Sequence, residues 1–147
     1  MLKKVGGDIF ADLDRRVELT KKLVKELSVE FAELYVTHLI ENIRNNKFGF
    51  TLSDVTLSNR IQRGVTSTTP LIDTGEYIKA IIQKGAEVRM AKGVHKGGLS
   101  YEELSNILEF GRKDKSVPAF PVWQMTYDEV QPIFTKRIKK RLKDLHK

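Results

Sequence analysis

The chain has 147 residues, 40% of them hydrophobic and 31% charged, a composition that builds one folded domain with a core of its own but not two. It contains no cysteine, which excludes a disulfide framework, a thiolate nucleophile and a zinc–thiolate site and fits a protein assembled inside a cell. No apolar run approaches the roughly 20 residues of a membrane span, and no apolar signal region follows the charges of Met1–Asp8, so neither a membrane partner nor a secretory leader is expected.

The net charge of +7 is concentrated at one end. From Lys136 to Lys147 seven basic residues stand against the single acid Asp144, a net of +6, while the rest of the chain carries 19 basic and 18 acidic groups. A nearly neutral domain therefore ends in a basic helix. Lys136, Arg137, Lys139, Lys140, Arg141 and Lys143 are the candidates to face DNA or an anionic protein surface. The alternative is a solvated amphipathic helix whose positive end complements the helix dipole.

In chain order, residues 9–46 read as helix. Ile9, Leu13, Val17, Thr20, Val24, Leu27, Phe31, Leu34, Tyr35, His38, Leu39 and Asn42 recur at three- and four-residue spacing on one stripe. The length of the pattern suggests a break or bend near Ser28. His38 lies on that stripe and reads as a partly buried, satisfied side chain. Gly49 ends the pattern, and Phe50–Leu57 has the β-branched content and partial alternation of a strand. Ser58–Pro70 turns polar and reads as a loop, closing on Thr66-Ser67-Thr68-Thr69-Pro70.

Leu71–Ile81 predicts a short helix capped by Asp73 or Thr74. Ile81–Gln83 and Ala86–Met90 flank Lys84-Gly85, the pattern of a tight hairpin. Ala91–Leu99 is a loop; its Gly93-x-x-x-x-Gly98 spacing copies a phosphate-binding loop, but Leu99 stands where the lysine would be needed. Ser100-x-x-Glu103 is a capping box for a helix that Gly111 closes, and Arg112–Ser116 is a charged turn. Val117–Trp123, with two prolines, should be extended, as an edge strand. Thr126-x-x-Glu129 is a second capping box, opening a helix to about Leu145 with Pro132 as a kink or restart.

These elements sum to an α+β fold: a small, mostly antiparallel sheet packed against a long N-terminal helix and a C-terminal helix. It is a single domain over 1–147, with a helical region at 1–48, sheet, loops and short helices at 49–125, and the basic helix at 126–147. Chemistry is sparse. His38, His95 and His146 have no metal-ligand spacing, nothing resembles a nucleophile elbow, and the carboxylates sit on solvated faces. No catalysis, metal or cofactor is expected.

The ordered set Pro70, Asp73-Thr74-Gly75, the hairpin at Gly85, Glu109-Phe110-Gly111, Pro118-Ala119-Phe120-Pro121 and the helix from Thr126 resembles the tail-completion, or head–tail joining, family of long-tailed bacteriophages. It is also similar to the related virion-morphogenesis proteins of contractile-tailed phages. The likeness covers roughly residues 69–140. Phe120 stands where the family has an arginine, and Val122 where it has a phenylalanine. The resemblance implies a structural virion protein of the phage neck, assembled in the host cytoplasm. It would form a homo-oligomeric ring of six between the head connector and the tail tube, with the genome passing through without sequence-specific contact. Asp73, Thr74, Gly75, Glu109, Phe110, Gly111, Pro118, Phe120, Pro121 and Trp123 become candidates for subunit contact, and the loops Ser58–Pro70 and Ala91–Leu99 for contact with partners. A tail terminator on the same architecture is the near alternative; a small basic nucleic-acid-binding protein is the alternative from another class.

Overall fold

The long apolar stripe does form one helix. In a computed structural model, α1 runs unbroken from Leu2–Arg44, about 65 Å at 1.5 Å per residue. The structure describes all residues except 1, 66, 68–70, 73–74, 96, 115–116 and 146–147, with side chains from residue 11 onward. The break or bend expected near Ser28 does not interrupt the helix, which is continuous through it. Ser28 turns its hydroxyl back onto the carbonyl of Val24 at 2.8 Å, which satisfies the side chain without opening the helical ladder. Asn46 and Gly49, at φ 45° and 69°, turn the chain out of the helix.

The expected strand at Phe50–Leu57 is instead the start of a helix, α2 (Asp54–Gln62). Ser53 accepts the backbone N–H of Thr56 at 3.2 Å and Asp54 lies in the first turn, so capping chemistry outweighs the β-branched content. The loop expected from Ser58 therefore begins only after this helix. Arg60, buried on α2, donates to the carbonyls of Ser67 at 3.0 Å and Ile72 at 2.9 Å, holding the following segment against the helix. The expected helix at Leu71–Ile81 is limited to α3 (Glu76–Lys79), entered through Gly75 at φ 83°. The caps assigned to Asp73 and Thr74, with Pro70, lie outside the described residues.

The hairpin forms as read. β1 (Ile81–Lys84) pairs antiparallel with β2 (Glu87–Met90), Ile81 opposite Met90 and Lys84 opposite Glu87, around Gly85 at φ 60°. Ser100 caps α4 (Tyr101–Phe110) by accepting the Glu103 N–H at 3.1 Å. Val117–Trp123 forms no strand: Phe120 N–H bonds to Leu108 O at 2.7 Å, and α5 (Val122–Leu145) starts at once. The capping box at Thr126 is also overturned. Thr126 is fully buried inside α5, where its hydroxyl accepts from Asn42 at 3.0 Å. Pro132 sits within α5, which continues across it without the bond that its missing N–H would have made.

α5 lies antiparallel to α1, since Asn42 meets Thr126 while Glu30 meets Arg141 at 3.1 Å. The main core joins Leu39 and Ile43 of α1 to Tyr77, Ile78, Ile81, Met90, Phe120 and Val122. A second cluster, Leu23, Leu27 and Phe134, seals the far end of the α1–α5 pair. The fold is α+β, with a two-stranded antiparallel sheet and the short helices held against this pair. Leu39→Ala, at a position with no exposure, is expected to lower unfolding free energy by about 2–5 kcal/mol. Val55→Ala, 71% exposed, should change it by less than about 0.5 kcal/mol. Urea denaturation of both variants checks this, and equal losses would contradict the placement of the core.

Candidate functional site: the groove at the start of α5

The start of α5 lacks a local cap, because the residue before it is Pro121, with no side-chain acceptor. The carboxylate arrives from α4. Glu109, buried at the last turn of that helix, accepts the N–H of Trp123 through Oε1 at 2.9 Å and of Gln124 through Oε2 at 3.0 Å. These are the orphan donors that an N-cap side chain ordinarily satisfies, and the positive helix end favours a negative charge there. Gly111, at φ 74°, then turns the chain. A Cβ there would stand 2.9 Å from Val117 O and 3.0 Å from Ala119 N, so glycine is required both for conformation and for space.

A row of hydrogen bonds extends from this junction. Trp123 Nε1 donates to Tyr77 Oη at 2.8 Å, Tyr77 and Ser105 share a bond at 3.1 Å, and Tyr35 donates to Trp123 O at 2.8 Å. Burial pushes the Tyr35 phenol well above the usual tyrosine range, and the negative charge of Glu109 acts in the same direction. Burial likewise raises Tyr77, with the Ser105 and Trp123 bonds opposing it. On the other side of α5, Glu129 accepts from Asn42 at 2.8 Å and pairs with Lys47, with His38 Nδ1 at 4.0 Å.

Over this network lies a groove of about 800 Å³, floored by Tyr35, Met90 and Trp123 and walled by β2, α4 and the first turns of α5. Phe110 stands on its rim, 78% exposed, and it is the largest exposure among the big apolar side chains described. The residues of the Glu109-Phe110-Gly111 motif thus separate. Glu109 and Gly111 are fixed by the fold, whereas Phe110 contributes nothing to the interior.

The other candidates divide similarly. Phe120 is not at the surface: it is buried edge-on against Phe50, ring centroids 5.3 Å apart, so its candidacy for subunit contact is replaced by a core role. Trp123 is half-buried, Pro118 is exposed, and Gly75 and Pro121 are half-buried. Lys136, Lys139, Lys140 and Lys143 are exposed and share one face of α5 by their spacing; Arg137 is exposed beside them. Arg141 is drawn back to α1 by Glu30 and Glu26, at 3.1 and 3.8 Å, and is half-buried. His95 lies 3.4 Å from Glu76, tying the loop after β2 to α3.

Sequence reasoning missed the structural roles of Tyr77, Ser105 and Arg60. Asn42 did carry a signal, being an amide on a mostly apolar stripe. Among the described residues, no group of three or more His, Asp or Glu side chains is placed to hold a metal ion. Among the same residues, no helix is long and apolar enough to cross a membrane. No protein-family model matches the chain, and neither a curated protein nor a solved structure does.

Glu109→Ala should cost about 1.5–3 kcal/mol, the range for hydrogen bonds to a charged group, with Glu109→Gln recovering part of it. Denaturation without loss in Glu109→Ala would contradict the cap. Alkaline pH supplies a separate check. The unfolded chain releases tyrosine protons near pH 10, while folded Tyr35 and Tyr77 hold theirs to higher pH. Their contribution is complete below about pH 10 and is lost as pH rises beyond it. Tyr35→Phe should flatten that decline, measured as the urea midpoint against pH; a slope equal to the wild type would contradict it.

Proposed function

We propose that this chain is a structural component of a tailed-phage neck, a tail-completion protein whose copies form a ring between the head connector and the tail tube. The observation that carries the reading is Phe110, an aromatic left outside by an otherwise well-determined motif, on the rim of an open groove. Burying an exposed phenylalanine against a neighbour contributes about 1.5–3 kcal/mol, and aromatic anchors in grooves are the usual centres of protein contacts. β2 lines the same groove, and among the described residues it is paired on one side only, with β1. A strand paired on one side suits addition of an extended segment from a neighbouring subunit.

The lysine face of α5 supports a place beside the genome. Four ammonium groups on one face attract phosphates without reading sequence, and no base-reading element accompanies them. The same lysines favour the second reading, a nucleic-acid-binding protein acting alone. That reading requires tight binding of duplex DNA by the isolated chain, with log K falling against log salt at a slope of about −3 to −4.

Phe110→Ser is expected to leave stability within about 0.5 kcal/mol of wild type, because the ring touches solvent rather than core. Particles assembled with this variant in place of the wild-type chain should accumulate as separate filled heads and finished tails, counted by negative-stain microscopy. Joined particles at the wild-type level would remove Phe110 from the interface.

A further inference from the structure

A second groove, of about 550 Å³, runs along the seam of α1 and α5. Its floor is apolar, with Val24, Leu27 and Phe31 from α1 and Phe134 and Ile138 from α5, and Ala86 of the hairpin turn reaches it as well. Leu27 and Phe134 are buried, but Val24 is 54% exposed. α5 ends beside Leu23, where Leu142 and Leu145 pack. Past that point Val17 and Leu13, seven and eleven residues before Val24, continue the apolar row, each 50% exposed. From Leu13 to Phe31 the row measures about 27 Å, the length of a helix of about 18 residues. A groove between two helices with such a floor is the form that receives an amphipathic third helix.

The charges beside the groove define that helix. Lys21 and Lys25 lie seven and three residues before Ser28, which lines the groove. Lys139 lies four residues after Thr135 and three before Leu142, which line it too. Spacings of three, four and seven keep to one helix face, so ammonium groups stand along both banks, and all three are exposed. Among the described residues Lys25 and Lys139 have no acidic partner, and Lys21 has only Glu18, at 3.4 Å. The other acids of these rows, Asp14 and Asp128, stand a further seven residues off, and Asp128 already accepts from Gln124 at 2.9 Å.

We propose that this groove is the docking site for an acidic amphipathic helix of a partner protein. Its apolar stripe covers Val24 and the open side of Phe31, and its carboxylates lie between the lysine banks, where they supply the missing counter-charges. The helix enters beside α5, in space the fold leaves open, and displaces no packed side chain. The long helices of this chain do not match the site. α5 is basic, and residues 11–22 carry four basic groups against three acidic. α4 is rich in acids but is tied into the fold through Glu109.

This site does not rest on the neck reading, which is tested on particles, and Phe110 is not part of it. Two synthetic helical peptides of about 18 residues serve as probes, with one leucine stripe in common, flanked by glutamates in the first and by lysines in the second. Fluorescence anisotropy with the whole chain should show the glutamate peptide binding at micromolar concentration, and the lysine peptide at least about tenfold more weakly. Lys21→Glu/Lys25→Glu/Lys139→Glu, three exposed positions, should reverse that preference with unchanged helical circular dichroism. Val24→Glu should lose the glutamate peptide. Equal binding of the two peptides, or a preference that the triple variant leaves unmoved, would overturn the acidic partner. No binding of the glutamate peptide would overturn the docking site. Light scattering at twice the 16.8 kDa chain mass, returned to the single mass by Val24→Glu, would assign the groove to a second copy and overturn the proposal as well.

Discussion

The rest of the structure depends on one carboxylate. Glu109 ends α4 and caps α5, so the two helices are fixed to each other by a charge-assisted pair of hydrogen bonds rather than by chain connectivity. The segment between them is tightly drawn: Gly111 lies against the backbone of Val117 and Ala119, and Phe120 is pinned to Leu108 on its way into the core. Once α5 is aimed, its register on α1 follows. Tyr35 reads the carbonyl of Trp123, Asn42 reads Thr126, and Arg141 reads Glu30, three polar contacts spread along the antiparallel pair. Apolar burial supplies most of the driving force, but it does not specify register; these directional bonds do.

How much of this the sequence made legible depended on how local the governing interaction was. The hairpin at Gly85, the Ser100 cap and the glycine closing α4 are set by residues within a few positions, and each stands where the pattern put it. Phe50–Leu57 failed because a serine cap followed by an aspartate outweighs β-branched side chains once the segment is not in a sheet. The Thr126 box failed for the opposite reason: a plausible local cap was overruled by Glu109, well upstream, which starts α5 a full turn earlier. Long α1 was expected to break or bend near Ser28, yet the helix runs through it unbroken.

The candidate site was legible only in part. The motif residues do gather at one junction, Glu109, Gly111, Pro121 and Trp123 together, while Phe120 turns inward. What the sequence could not separate was which members hold the junction and which face outward. That division depends on which side of α4 meets α5, a tertiary fact. The roles of the Tyr35 and Tyr77 hydroxyls escaped notice because a tyrosine on an apolar stripe looks like any other core aromatic until its hydroxyl finds a partner. The division separates the residues that packing and capping account for from Phe110, which neither accounts for.

Phe110, the open edge of β2 and the lysine face of α5 together support the account of a ring subunit beside DNA at the junction of head and tail. The most direct test is to place a tag after the C-terminal residue and locate it on purified virions by gold labelling and electron microscopy. The account predicts label at the head–tail junction of intact particles. Label along the tail tube or at the baseplate, or particles without label although the tag is accessible and assembly proceeds, would contradict it.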